Sequence, residues 1–479
     1  MAKSRIPVMI LLLTAAAAIE AVRLSSVSAP ANSDVWWHLS SGLWMLQKHA
    51  LPRTGILSQS GGTAWIASSW FYELLLAVSY KVMGLRSIPV LLMGFKAALA
   101  AVMFLLAGGL RRNFWPAVAL SAIAQYILAA VPPGPGYASI LFFAIELLLL
   151  LESRRRRDFR LLLWLSPLML VWANLDPQFV IGVALLLLFL ASLVCEQYLL
   201  SGVRSLEVST VAKIIVLSVV GTVITPYFYR PYGVFFGVTL SSANDYLTDF
   251  HALGFRQPQD YVLLLLAMAA FLALGLRRSR DFFSIALLAG CIAAAFYSRR
   301  NVWLIALAAV AVIGEACSET SERSSEDGWK REMWIAAACS FAVLLVAGWP
   351  RIPHSDQALM TRVGQSYPVA ACDAIRDQHL AQPLFNAYEW GGFVTWYLPQ
   401  YPVAIDGRND LYGPDVISEY SKMMNADVPY TEYAAVSGAQ TILLPKRAIM
   451  AGALSSLPIF RVAYSDEIAI VLSRNRADE

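Results

Sequence analysis

Charge is scarce in this sequence. Only 15% of its 479 residues are charged, against about 25% in an ordinary soluble protein, while 58% are hydrophobic. That imbalance excludes a water-soluble enzyme. Cysteine is scarce as well, and five in so long a chain do not make a disulfide framework. Neither sign of charge dominates: 37 Lys and Arg against 33 Asp and Glu leave +4, too little for a nucleic-acid binder. Internal repeats and low-complexity tracts are also missing. What remains is apolar sequence in long runs.

Eleven such runs fall at 6–22, 87–109, 114–131, 138–151, 160–174, 179–199, 207–225, 260–276, 282–297, 302–316 and 332–349. A transmembrane helix needs about 20 apolar residues, so these runs read as about eleven transmembrane helices. The first follows Lys3 and Arg5 and also has the form of a signal peptide, with Ala29-Pro30-Ala31 as a crude cleavage site. Proline beside that site, and Glu20 and Arg23 before it, favour a retained helix with a cytoplasmic N-terminus. A further apolar segment, 69–83, is short for a span and carries Glu73 and Lys81. If it lies along the membrane surface, Arg111, Arg112, Arg154 to Arg157, Arg204, Arg277, Arg278 and Arg280 all become cytoplasmic. The short loops 131–137 and 174–178, then outside, carry no Lys or Arg. The odd span count puts the C-terminus outside.

From residue 350 the pattern changes. Short β-rich runs at 383–385, 403–405, 441–444, 460–464 and 468–472 alternate with helical stretches such as 414–424, as in a compact α/β domain. The segment 315–332, rich in Ser, Glu and basic residues, reads as a cytoplasmic linker. The expected architecture is therefore an α-helical polytopic membrane module, 1–349, with a long first outside loop at 23–86, followed by an extracytoplasmic α/β domain, 350–479. Of the cysteines only Cys372 falls clearly outside, which argues against an intramolecular disulfide.

Several residues look chemical. The first outside loop opens Ser33-Asp34-Val35-Trp36-Trp37-His38 and runs as an amphipathic stretch to His49. Trp36, Trp37, Trp44, Trp65 and Trp70 suit a segment at headgroup level. Asp34 among them is placed to work on something arriving from the membrane; its plain alternative is an N-cap for a surface helix. Asp176, before Pro177, is a second acid at an outer face, either functional or a turn former. Converging, the two would offer oxygen ligands to a divalent cation. Arg299 and Arg300 lie outside at the lip of a span, where the positive-inside rule disfavours them and a bound lipid phosphate would explain them; simple snorkelling is the alternative. The loop 226–261 mixes aromatic and polar groups, among them Tyr229, Arg230, Asp249 and His251, as a sugar ring or an interfacial belt would require. In the C-terminal domain, Glu389 and Trp390 with Gly391, and Asp406 with Arg408, each follow an expected strand. They would grip an acceptor there, or else pack the domain, with Asp406 and Arg408 as an ion pair.

The stretch SDVWWHLSSGLWMLQKHALPRTGILSQSGGTAWIASSWFYELL, with the odd-span topology, resembles the polytopic glycosyltransferase-C superfamily, most of all its bacterial mannosyltransferase-like branch. LFNAYEWGGFVTWYL followed by AIDGRNDLYG is similar in layout to the WWDYG segment of oligosaccharyltransferase catalytic subunits, with Glu389, Trp390 and Gly391 in place of Asp, Tyr and Gly. The sequence departs from relatives in its second and third outside loops, where Pro133 to Tyr137 stand for Arg-Pro-His and Asn174-Leu175-Asp176 for Asn-Leu-His. The resemblance implies inverting transfer of a sugar from a polyprenyl phosphate to a glycan, lipid or protein acceptor at the outer face of the cytoplasmic membrane. Asp34 would be the catalytic residue, acting as general base on the acceptor hydroxyl, Arg299 and Arg300 would hold the phosphate, and Trp37, His38, Tyr229, Arg230, Asp249, His251, Glu389, Trp390, Asp406 and Arg408 would bind substrate. Mg²⁺ or Mn²⁺ on Asp34 and Asp176 would assist. A flippase, transporter or scaffold for lipid-linked glycans is the alternative class. It would show paired interrupted helices and charges near the bilayer midplane, whereas Lys96, Glu146 and Lys213 are scattered and the chemical residues gather at one face.

Overall fold

The computed structural model describes residues 34–109, 114–129, 131, 133–200, 205–277, 281–320 and 355–475. The expected spans at 6–22 and 332–349, the sites at 29–31, Arg111, Arg112, Arg204, Arg278 and Arg280, and the linker beyond 320 lie outside these residues. The described chain forms two compact units, one of 90–235 with 249–320, the other of 34–89, 236–248 and 355–475.

Among the described residues, twelve α-helices precede residue 321: α1 (Asp34–Lys48), α2 (Trp70–Met83), α3 (Ser87–Leu106), α4 (Phe114–Leu128), α5 (Gly136–Arg156), α6 (Leu165–Leu175), α7 (Phe179–Leu200), α8 (Ser205–Gly221), α9 (Arg230–Thr239), α10 (Pro258–Leu276), α11 (Phe282–Tyr297) and α12 (Val302–Thr320). The nine described runs expected to span are thus all helical. Five helical segments are long and apolar enough to cross a membrane: Trp70–Leu106, Gly136–Arg156, Phe179–Tyr198, Pro258–Leu276 and Arg299–Cys317. Four shorter apolar helices accompany them. The first segment is 37 residues long, or about 55 Å at 1.5 Å per residue, well beyond a hydrocarbon core of about 30 Å. It breaks at Gly84, whose φ of 63° ends α2, and the boundary between the units follows five residues later. Leu265, Met268, Leu272 and Leu276 line one exposed stripe of α10, a surface that suits lipid.

Several charges in this first unit meet at the ends of its helices. Arg154 of α5 binds Glu196 of α7 at 2.7 Å and Asp281, the N-cap of α11, at 2.9 Å. Arg277, which closes α10, reaches Asp281 at 3.4 Å and Glu315 of α12 at 3.3 Å. Arg154 and Arg277, two of the basic residues that the sequence assigns to one side of the membrane, therefore share one ion-pair cluster.

The second unit combines α1 and α2 with the C-terminal elements α13 (Asp356–Val363), α14 (Val369–Asp377), β1 (Leu384–Asn386), α15 (Tyr388–Tyr397), α16 (Asn409–Met424, kinked at Gly413), α17 (Ala434–Ser437), β2 (Thr441–Pro445), α18 (Ile449–Ser455), β3 (Phe460–Ser465) and β4 (Ala469–Arg474). The sheet order is β1-β2-β4-β3, with β1 parallel to β2 and the other pairs antiparallel. Phe385 faces Ile442 and Ile442 faces Leu472. Residues 403–405, expected as a strand, do not join it. Ala404 N–H donates to the Asn386 side chain, whose amide in turn donates to Ile405 O, so a side chain replaces the ladder. Val403 pairs instead with the loop after α1, accepting from Gln59 N–H at 2.9 Å and donating to Leu57 O at 3.2 Å.

That loop and α1 belong to the core of this unit. Trp36, expected at headgroup level, is 0% exposed. It stacks on Trp396 at 4.6 Å and meets Phe393 and Tyr367 edge-on. Trp65 is buried as well. Aromatic faces in the C-terminal segment, hidden from a one-dimensional reading, supply what lipid was expected to supply.

Candidate active site

Helix α1 begins at Asp34. Trp37 and His38, three and four residues on, share its face of the helix. The Trp37 indole N–H donates to Asp34 Oδ1 at 3.3 Å, and both side chains are half-buried. On the other side comes Gly407: a methyl built there would overlap Asp34 Oδ1 and lie 3.1 Å from Trp37 Nε1. The backbone of the Asp406-Gly407-Arg408 turn can approach the carboxylate only because residue 407 has no side chain.

The turn is fixed from below. Arg408, 1% exposed, donates from Nε and Nη2 to Asp406 at 2.6–3.1 Å and from Nη1 to Ile56 O at 2.7 Å. The ion pair anticipated from the sequence is therefore present. The guanidinium also lies over the Trp65 ring at 5.1 Å, and Trp65 N–H donates to Asp410 Oδ2 at 2.9 Å. Burial, opposed by the Arg408 charge and by hydrogen bonds, pushes the Asp410 carboxyl up to about 6. Trp65 stands edge-on to Trp37 at 6.3 Å. Gly391 plays a similar part at the head of α15, where an added methyl would overlap Ile405 O and lie 2.7 Å from Asp406 Cβ. Tyr388 OH donates to Asn409 Oδ1 at 2.8 Å, joining the heads of α15 and α16. Glu389 is exposed there, whereas Trp390 is buried and donates to Ser366 O at 3.3 Å.

The remaining sequence candidates belong to the first unit. Arg299 N–H donates to His251 O at 2.9 Å, and the Arg300 guanidinium lies over Phe250 at 5.1 Å. The loop 226–261 and the arginine pair thus meet. Neither arginine forms an ion pair among the described residues. Tyr229, Arg230, Asp249 and His251 are exposed. Asp176 is buried, its Oδ1 accepting from Gln178 N–H at 3.0 Å and its Oδ2 from Gln178 Nε2 at 3.3 Å. Burial raises its pKa, countered by those Gln178 bonds and the charge of Arg300.

These surroundings do not fit the divalent ion expected on Asp34 and Asp176. Both Asp176 oxygens face N–H donors, which repel a cation. No group of three or more His, Cys, Asp or Glu side chains among the described residues is arranged to hold a metal ion. Gly407 and Trp65, by contrast, were not among the expected site residues, although a glycine between an acid and an arginine is a signal for close backbone approach.

No family model and no curated protein sequence matches the chain. Solved structures do. The archaeal oligosaccharyltransferase AglB from Archaeoglobus fulgidus, in complex with an inhibitory peptide and a dolichol-phosphate, is similar over 91% of this chain and 69% of its own, with a TM-score of 0.53 and 12% identity. The same oligosaccharyltransferase tethered to an acceptor peptide containing the NVT sequon matches over 98% and 74%, at 0.53 and 11%. ArnT from Cupriavidus metallidurans bound to undecaprenyl phosphate aligns over 96% and 97%, at 0.49 and 12%. At these identities the likeness is one of fold. The chain carries, among its described residues, five helical segments long and apolar enough to cross a membrane, and it shares the fold of the archaeal oligosaccharyltransferase.

Proposed function

We propose that the protein transfers a sugar from a polyprenyl-phosphate carrier to a glycan, lipid or protein acceptor at the outer face of the cytoplasmic membrane. The observation that carries this reading is the setting of Asp34. A half-buried carboxylate heads α1, flanked by an indole N–H and a residue without a side chain, in a fold it shares with a structure holding dolichol-phosphate. In the proposed step the acceptor oxygen or nitrogen attacks the anomeric carbon and Asp34 takes its proton. The bond from that carbon to phosphate breaks, its electron pair leaves with the polyprenyl phosphate, and configuration inverts. Arg299 and Arg300 hold the phosphate and stabilise the charge that grows on it. Exposed Glu389 and the polar groups Tyr229, Arg230, Asp249 and His251 contact sugar or acceptor, while Trp390, Asp406 and Arg408 hold the turns that carry the site.

Membranes containing the protein, supplied with radiolabelled undecaprenyl-phosphate hexoses and pentoses, test this. Asp34→Asn should abolish formation of a new glycosidic bond with the protein level unchanged. Arg299→Ala with Arg300→Ala should raise the donor KM about tenfold or more, as loss of a charge-assisted phosphate contact does. Near-normal turnover in Asp34→Asn would sink the assignment. Label that crosses the bilayer without forming a glycoside would indicate a transporter instead.

A further inference from the structure

Helices α1 and α2 bury a titratable pair that the step above does not use. His38 is 4% and Glu73 0% exposed. His38 Nδ1 lies 3.0 Å from Glu73 Oε1, and Glu73 Oε2 has no hydrogen-bond partner among the described residues. Burial first, and then the charge of Arg408, hold the imidazole down to about 3. His38 is therefore neutral near neutral pH, and a single proton lies between Nδ1 and Oε1. Two apolar side chains would fill this space without the desolvation cost of a buried polar pair, so the pair calls for a role beyond packing.

Its neighbours supply one. The imidazole packs against the Trp37 ring at a tilt, centroids 3.6 Å apart and planes 32° apart, with Tyr72 edge-on at 5.6 Å. The indole N–H of Trp37 reaches Asp34 at 3.3 Å. A bond that long is lost with a small rotation of the indole. The indole's plane is set on this face by the imidazole, and the imidazole's plane by Glu73.

We propose that His38 and Glu73 are positioning residues for Asp34. Their hydrogen bond locks the imidazole as the plate on which Trp37 rests, and Trp37 holds the carboxylate where it takes the acceptor proton. This rests on the reading of Asp34 as the base. An apolar residue at 73 leaves the imidazole free to turn, so that the indole N–H swings off Asp34. Glutamine at 73 keeps the bond and the geometry.

The first test needs no substrate. In protein labelled with ¹⁵N at its indole nitrogens and held in lipid nanodiscs, the Trp37 N–H resonance is identified by its loss in Trp37→Phe. Asp34→Asn should move it. Glu73→Leu and His38→Leu should move it too, and Glu73→Gln should not. His38→Asn, which keeps a donor for Glu73 but removes the flat ring, should also move it and serves if Glu73→Leu does not fold. In the transfer assay Glu73→Leu should lower kcat about tenfold or more with donor KM unchanged, and Glu73→Gln should stay within about twofold. A wild-type resonance in folded Glu73→Leu or His38→Asn overturns the proposal, as does equal kcat loss in the Gln and Leu variants. Normal turnover in Glu73→Leu with an inactive Asp34→Asn removes the positioning role and leaves the base assignment standing. An active Asp34→Asn removes the base assignment, while the resonance still reports whether the pair orients Trp37.

Discussion

At Gly407 the backbone comes up against the side chains of Asp34 and Trp37 with no room for a methyl between them. The residue has an ordinary backbone conformation, so alanine there is not strained in itself, yet its methyl would overlap Asp34 Oδ1 and crowd Trp37 Nε1. Gly407→Ala should lower kcat about tenfold to a hundredfold by displacing the carboxylate by about 1 Å, with folding intact by size exclusion and thermal unfolding. Asp410 gives a second prediction. Burial raises its pKa from the ordinary 3.8 to about 6, so the unfolded chain gives up the proton first as pH rises. The ionised carboxyl then lowers stability progressively between about pH 4 and 6, by on the order of 3 kcal/mol when complete. Asp410→Asn should raise the unfolding temperature relative to wild type at pH 7.5 and lose that advantage near pH 4. An advantage constant with pH would place its cause elsewhere.

Among the helices, the cluster at the ends of α5, α7, α10 and α12 separates two kinds of arginine. Arg154 joins Glu196 and Asp281 from different elements, while Arg156 is 47% exposed and pairs with Glu152 of its own helix. Arg154→Ala leaves two partly buried acids without their shared cation and should destabilise the detergent-solubilised protein by about 2–4 kcal/mol. Arg156→Ala should cost under 1 kcal/mol. Thermal unfolding of the two variants side by side measures the difference. Helix positions were legible in the sequence because an apolar run of helical length without turn residues has few other ways to satisfy its backbone in lipid. The segment 403–405 was misread for a related reason. Its apolar pattern reports burial, and burial came from the loop at 57–59 and the Asn386 side chain rather than from a strand beside it.

For the molecule as a whole, the basic clusters and the odd span count predict that the Arg154 to Arg157 end faces the cytoplasm and the C-terminal sheet faces outward. Single cysteines at the exposed positions Arg157 and Arg447, introduced after removal of the native five, should answer this. A membrane-impermeant maleimide on intact cells should label Arg447→Cys at once and Arg157→Cys only after permeabilisation. The reverse pattern would invert the topology and place Asp34 on the wrong side for an extracytoplasmic acceptor.

The sequence by itself determined the membrane class, the helical register of nine runs, the α/β character of the C-terminal segment and the likeness to the glycosyltransferase-C superfamily. The first three depend on patterns local in the chain, periodicity and composition above all, and the likeness rests on the motif strings that carry it. Only the tertiary structure decided that 34–89 packs with 355–475 as one unit, that Trp36 is a core residue, and that Glu73 answers His38 and Gly407 answers Asp34. These are contacts between residues 35 to more than 370 positions apart. Local patterning fixes which face of an element is apolar and leaves open which distant side chain will meet it.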